Sequence, residues 1–424
     1  MGIINLSDYM NQNLKRIFTI VGLVLAVCLI AFGIYYLFFR PITPAGPGVA
    51  PEGPAVEPGG QLPEIGEGGV VPISPENVNR LIPSAGISEA EISEVAGGGY
   101  TKVSQFSPGK INAPVMTPSG GFNYFNATEG RFYRLNQNGS AERLSDQRFF
   151  SVASVTWSPS AEQAVLEYPD GSNIVYDFTA NKQYSLPKEM QDFDFTASGG
   201  QLAAEAIGAR EENNWLVTAN TDGSNIQFIE RLGGRAEDVD VNWSPNGQVV
   251  ALFKEDVNAD TQQVIFVGKN QENFKGLTVY GRGFEGQWTP DGKKLLYSVF
   301  TSGNGFRPTL WLTGAEGDNI GLDNLSLGLE TWSYKCTVAG DNQYAYCGVP
   351  GNLPQGSGFY PELAKDVYDD FYRIDLTSGQ ASLLAVPAGD LNGYSVEQIF
   401  LAPDGRTLYF KDANTANLYS LNLE

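Results

Sequence analysis

From residue 100 onward, short apolar runs alternate with polar turn signals, as strands joined by tight turns do. The clearest copy is Trp288-Thr289-Pro290-Asp291-Gly292-Lys293-Lys294-Leu295-Leu296-Tyr297. Pro and Asp favour the turn, Gly supplies the positive φ it needs, and the run beyond is strand-like. The pattern recurs. Trp243-Ser244-Pro245-Asn246-Gly247 precedes Val249–Phe253, Trp157-Ser158-Pro159 precedes Ala164–Leu166, and Ala402-Pro403-Asp404-Gly405 precedes Thr407–Phe410. Weaker copies lie at Thr117–Gly120, Thr196–Gly199 and Val338–Asp341.

The Pro-equivalent positions are 118, 159, 197, 245, 290, 339 and 403, so the steps are 41, 38, 48, 45, 49 and 64 residues. A period in the forties with several strands per unit predicts the blades of a β-propeller. Second turns at Asn138-Gly139, Asp222-Gly223, Glu316-Gly317 and Ser378-Gly379 give four strands per unit. The seventh unit stops after its third strand at Leu423-Glu424, so the missing fourth is expected from Tyr100–Phe106, upstream of the first unit. Closure by both chain ends hides sheet edges that would otherwise invite pairing. The predicted fold is all-β, a seven-bladed β-propeller over residues 100–424, preceded by a transmembrane helix and a disordered stalk.

The pattern upstream is different. Residues 1–16 are polar and end in Lys15-Arg16; Ile17–Phe39 then runs 23 residues without a charge. That length predicts a single membrane span, with Tyr35, Tyr36, Phe38 and Phe39 as an interfacial belt. The run is too long for a cleaved signal and lacks a small-x-small site. Lys15-Arg16 against Arg40 orients the N-terminal segment inside and the propeller outside the cytoplasm. Residues 40–99 are rich in Pro and Gly, with sparse acids, and predict an extended stalk without a core.

Charge narrows the partners. Forty-eight acids face 27 bases, a net charge of −21, which argues against nucleic acid. There is no histidine, which excludes serine–histidine hydrolysis and imidazole zinc sites. No cofactor is implied. The repeated Trp-Ser/Thr-Pro-Asp/Asn-Gly turn resembles that of the TolB-type, WD-repeat-like β-propellers, over residues 100–424. The resemblance implies a fold, with Trp and Pro in structural roles, and no particular function. Family members with six blades, an extra N-terminal α/β domain and a cleaved signal differ from this anchored, seven-unit chain, so their envelope role is not carried over. Propellers fused to prolyl-oligopeptidase hydrolases differ too, because no hydrolase domain follows.

Several constellations have two readings. Cys336 and Cys347 flank the sixth Pro-type turn symmetrically, as a cross-strand disulfide or as two buried thiols. Asp256-Val257-Asn258-Ala259-Asp260 has the alternating oxygens of a calcium loop but lacks the Gly and Glu that follow, and otherwise reads as a solvated turn. Asp366, Asp369 and Asp370 are ligands or a wet acidic rim. Asn126, Asn138, Asn242 and Asn324 head glycosylation triplets.

In a propeller, the loops between blades and those joining second to third strands share the face opposite the Pro turns. That places Arg148, Arg210, Arg235, Arg282 and Arg307 on one face, with Phe149, Phe150, Tyr280, Phe284, Phe306, Phe359, Tyr360 and Tyr394. The binding candidates are Arg148, Phe149, Arg235, Tyr280, Arg282, Phe306, Arg307, Phe359 and Tyr360, residue types enriched at hot spots. Gathered arginines would favour an acidic peptide or anionic glycan, whereas pairing with local acids would make them solubilising only. The long connection Gly348–Asp370 is expected on this face as a lid anchored by Phe359-Tyr360-Pro361. The functional expectation is a non-enzymatic, extracytoplasmic module binding a protein, peptide or anionic envelope polymer. The alternative is a glycan-acting enzyme that uses two carboxylates.

Overall fold

A computed structural model of the protein describes residues 92–424, with Leu29 alone upstream. The Ile17–Phe39 segment and the stalk up to residue 91 lie outside the described residues. Among the described residues, no helix is long and apolar enough to cross a membrane.

The fold is all-β. The first strand, β1 (Tyr100–Gln105), stands apart from the units that follow it. Unit one holds β2 (Asn112–Met116), β3 (Phe122–Asn126), β4 (Arg131–Leu135) and β5 (Ala141–Arg143). Unit two holds β6 (Ser154–Trp157), β7 (Gln163–Glu167), β8 (Asn173–Asp177) and β9 (Lys182–Leu186). Unit three holds β10 (Met190–Phe195), β11 (Gln201–Ala206), β12 (Trp215–Asn220) and β13 (Gln227–Arg231). Unit four holds β14 (Val239–Val241), β15 (Val249–Asn258), β16 (Thr261–Gly268) and β17 (Leu277–Val279). Unit five holds β18 (Arg282–Trp288), β19 (Lys294–Phe300), β20 (Pro308–Gly314) and β21 (Leu325–Ser326). Unit six holds β22 (Cys336–Val338), β23 (Tyr344–Pro350), β24 (Asp369–Asp375) and β25 (Ala381–Ala388). The chain ends with β26 (Val396–Leu401), β27 (Thr407–Asp412) and β28 (Leu418–Asn422).

Units one to five are separate four-stranded sheets, and the rest form one eight-stranded sheet ordered β22-β23-β24-β25-β1-β28-β27-β26. Strand β1 lies antiparallel to β28, with Val103 opposite Leu421, so the first strand completes the last group. Its opening half also runs parallel to β25, with Tyr100 opposite Val386, which joins the sixth group to the last.

Each repeated turn connects the first strand of a group to the second. In all seven, the N–H of the fourth turn residue donates to the carbonyl of the first at 2.8 Å: Gly120 to Thr117, Ala161 to Ser158, Gly199 to Thr196, Gly247 to Ser244, Gly292 to Thr289, Asn342 to Ala339 and Gly405 to Ala402. The donor residue is left-handed in every copy, with φ from 58° at Ala161 to 83° at Gly120. Gly meets that demand without a Cβ clash, and Asn tolerates it.

Apolar side chains gather where neighbouring groups face each other. Seven buried clusters result, each spanning two consecutive groups. Phe125 and Phe132 meet Leu166 and Tyr176 between the first two units. Phe266 meets Trp288 and Tyr297 between the fourth and fifth. The cluster holding Phe122, Tyr124 and Leu135 also contains Tyr409 and Leu418, so the last strands pack against the first unit. Burying one such side chain contributes about 1.5–3 kcal/mol, which makes these interfaces the main source of cohesion. The repeated Trp serves them: Trp157 Nε1 donates to the Ala113 carbonyl of the preceding unit at 2.8 Å.

Cys336 and Cys347 are directly opposed across β22 and β23 and are joined as a disulfide, their Cα atoms 4.0 Å apart. Both are buried in the cluster between the fifth and sixth units.

Candidate functional site

The long connection in unit six is a structured element. Residues 351–368 carry a short 3-10 turn, Pro361–Ala364, and a small core of Trp332, Leu353, Ala364 and Val367. It is bonded to both neighbours. Gly356 N donates to Gly305 O at 2.9 Å and Gly358 N to Phe306 O at 2.8 Å, on the β19–β20 connection of unit five. On the other side, Asn414 Nδ2 donates to the Lys365 carbonyl at 3.1 Å. Phe359 reaches unit five, its ring 4.4 Å from that of Phe300 and 5.1 Å from that of Phe306.

Phe306 holds this position at a cost. Its φ is 57°, a region that bulky residues enter only when surroundings compel it. Here its N–H donates to Thr301 O at 2.8 Å, and the ring stays in reach of Phe359. The resulting surface leaves Phe359 47 %, Tyr360 60 %, Leu363 47 % and Tyr368 48 % exposed. Nearby Tyr334, 41 % exposed, stacks on buried Trp332, and lines one cavity with Pro361, Glu362, Lys365 and Glu397.

The arginines do something else. Arg235 pairs with Asp238 at 3.0 Å and Glu255 at 3.2 Å, Arg307 with Glu330 at 3.3 Å, and Arg210 with Glu212 at 3.0 Å. Arg282 pairs with Asp256. Arg148 is exposed, with no ion pair among the described residues. Four of the five are therefore paired with acids of their own or a neighbouring unit, which agrees with the local-pairing alternative rather than with a shared positive field. Phe149 also needs correction. It is 3 % exposed and packs edge-on against Phe132 and Tyr176, so it belongs to the core. Phe284 and Tyr394 are likewise buried, whereas Phe150 and Tyr280 stand out at 60 % and 67 % exposed.

The acidic motifs are occupied by protein partners. Asp256 accepts from Gln262 Nε2 and from Arg282, while Asp260 accepts from Ser302 N and Oγ at 2.8 and 2.6 Å. That stretch is the tip of the β15–β16 hairpin, docked on unit five. Among the described residues no group of carboxylates is arranged to hold a metal ion. Asp369 is no wet rim residue: it is fully buried, with Lys335 Nζ 2.9 and 3.1 Å from its two oxygens and Val396 N donating at 2.6 Å. Burial pushes its carboxyl up, and Lys335 opposes that shift.

A second feature lies where the first strands begin. Strand starts in several groups are bulged, with left-handed residues at Ala113 (φ 43°), Asp192 (φ 52°) and Gly283 (φ 64°). Such bulges re-aim side chains. Gln191, Asp192, Asp194 and Glu205 lie here on unit three, Asp240 on unit four, Glu285 on unit five and Glu397 on the last group. Burial pushes the Glu205 carboxyl up to about 7, against a hydrogen bond from Gln191, with Asp192 adding to the rise. Burial likewise pushes Asp194 up to about 6, against donors at Trp243 N and Phe195 N, and Asp240 adds to it. Asp240 and Glu285 are raised by desolvation, with Lys254 opposing both. Tyr334 is raised by burial and by the fields of Glu285, Asp369 and Glu397.

Sequence reasoning named Phe306, Phe359 and Tyr360 but missed Asp192, Asp194, Glu205, Asp240, Glu285 and Tyr334. The signal was present in Met190-Gln-Asp-Phe-Asp-Phe195, where buried Phe193 and Phe195 alternate with acids, the pattern of a strand wet on one side.

No family model matches the chain, and no curated protein sequence matches it. Solved structures do. The β-propeller domain of Cps50 (Swd1) from Myceliophteria thermophila superposes with a TM-score of 0.50 at 10% identity, covering 76% of this chain and 100% of that one. A chain of the Mitotic Checkpoint Complex gives 0.50 at 14%, covering 78% and 93%. TolB from Acinetobacter baumannii gives 0.36 at 12%, covering 71% and 63%, too distant to weigh. At these identities the likeness concerns the fold alone, and that fold is a β-propeller.

Proposed function

We propose that the chain is a binding module: a seven-bladed propeller, tethered outside the cytoplasm by Ile17–Phe39 and a stalk, that captures a protein or peptide. The seven inter-unit clusters and the pairing of β1 with β28 support the blade count. One observation carries the functional reading. The blade-six connection builds an ordered, exposed aromatic surface on the face opposite the Pro turns, anchored to both neighbouring blades. Apolar surface held this way, around aromatic anchors, marks interaction sites. The pairing of the arginines removes the reason to favour an anionic polymer.

A photo-crosslinking residue at Tyr360 in intact cells tests this. Discrete adducts are expected there, and none from the same residue at Glu162 on the opposite face; equal labelling at both positions would refute the proposal. A second reading has one observation behind it. A carboxyl raised to about 7 at Glu205 beside Asp192 would suit the acid half of a two-carboxylate glycosidase. Hydrolysis of envelope glycans that is abolished by Glu205→Gln would replace the binding reading with this one.

A further inference from the structure

The cavity beside the blade-six connection encloses about 310 Å³. Its apolar walls are Trp332, Tyr334, Pro361 and Ala364, with the Tyr334 ring stacked on buried Trp332 at 5.8 Å between centroids. Tyr360 and Leu363, on the same short turn as Pro361, extend the exposed apolar surface. We propose that the segment captured here is proline-rich, uncharged and extended. Its proline rings lie in the cavity and against Tyr334 and Tyr360, and its backbone carbonyls accept hydrogen bonds from those two tyrosine hydroxyls. The inference rests on the binding reading above and names the chemistry of the partner.

Charge comes first. Lys335, Lys365, Glu362 and Glu397 line the cavity, two of each sign. Lys335 already holds Asp369 at 2.9 Å, and Glu397 holds Lys411 at 2.7 Å. Glu362 and Lys365 share one turn and offset each other. A charged occupant would lose water there and gain no net counter-charge. Backbone comes next. Residues 351–368 contain no strand, so this surface offers no edge for strand addition. What it offers instead is tyrosine, a flat apolar ring that ends in a donor. The hydroxyls of Tyr334 and Tyr360 have no hydrogen-bond partner among the described residues. Covering a hydroxyl without a partner is costly, so the occupant must bring acceptors. An apolar helix has its carbonyls tied up internally. A polyproline II segment leaves its carbonyls free, and its prolines bring no N–H that needs a partner. It is also preformed, so little ordering cost opposes its binding in an aromatic-lined groove. This sequence itself contains a stretch of that composition: residues 41–51 carry prolines at 41, 44, 47 and 51 and no charge. A second copy of the chain therefore carries the required chemistry, and the stretch supplies a probe.

Fluorescence anisotropy with the full-length chain in detergent tests the chemistry and the place together. The first probe is a labelled peptide with the sequence of residues 41–51. A second has its four prolines changed to Ala. Two more carry Ile42→Lys with Val49→Lys, and Ile42→Glu with Val49→Glu. The proline peptide should bind at least about tenfold more tightly than its Ala version, and no more weakly than either charged one, at low and high salt alike. Tyr334→Phe and Tyr360→Phe keep the rings and remove the donors. Each should weaken the proline peptide by about fivefold, with the melting temperature unchanged. Equal binding of the Ala peptide would reduce the surface to a general apolar contact and overturn the inference, leaving the binding reading standing. Tighter binding of a Lys or Glu peptide would overturn the neutral occupant. Proline binding indifferent to both Tyr→Phe changes would overturn the role of the hydroxyls and the proposal with it. Absence of all binding would overturn it too, and crosslinking at Tyr360 would then judge the broader reading separately.

Discussion

At Glu205 a carboxyl is buried among hydrogen-bond donors and another acid, and its affinity for a proton rises. The folded chain then holds that proton more tightly than the unfolded chain, so stability is present below the ordinary carboxylate pKa and is lost as pH rises toward about 7. Thermal melts at pH 5 and pH 8 should show the wild type less stable at pH 8. Glu205→Gln should flatten that difference, by on the order of 1–3 kcal/mol. A Gln variant with the wild-type pH slope would refute the assignment. The Lys335–Asp369 pair responds differently. Removing one partner strands a buried charge, so Asp369→Asn or Lys335→Met should cost about 3–5 kcal/mol in chemical denaturation. The partners of these charges were not legible in the sequence. Lys335 and Asp369 are 34 residues apart, and Arg282 finds Asp256 across 26, so only the fold reveals who neutralises whom. Phe149 misled for a related reason: it stands in a linker beside exposed Arg148, yet turns inward onto Phe132.

Elements were far easier to read. A Pro-Asp-Gly turn is decided by a few adjacent residues, and all seven copies close with the same hydrogen bond. Even the weak copies obey it, at Thr196–Gly199 and, one residue on from the expected Val338–Asp341, at Ala339–Asn342. The need for an upstream strand followed from counting, but the parallel contact of β1 with β25 did not. The blade-six connection was legible as a length. Its seat was not, because nothing local in Phe359 points to Phe300 and Phe306. Two predictions belong at this scale. Val103, buried between β1 and β28, should on change to Ala cost about 1–3 kcal/mol, comparable to a core methyl deletion elsewhere. If the strand were only loosely attached, the loss would be near zero. Replacing Cys336 and Cys347 by Ser should lower stability by about 2–3 kcal/mol, as expected for a short closed loop, and reductant should destabilise only the wild type.

In the whole molecule, repetition places the same part of every blade on the same face. The Pro-type turns join first to second strands, and the irregular parts lie at the opposite strand ends: bulged first-strand starts, the connection 351–368 and the strained Phe306. There, residues 351–368 leave Phe359, Tyr360, Leu363 and Tyr368 exposed, while four of the five arginines singled out from the sequence are paired with acids. Hydrogen exchange on the crosslinked complex tests this division of labour most directly. The account predicts slowed exchange in residues 351–368, with the seven Pro-type turns unchanged. Protection confined to those turns, or to the outer strands such as β13 and β17, would contradict it.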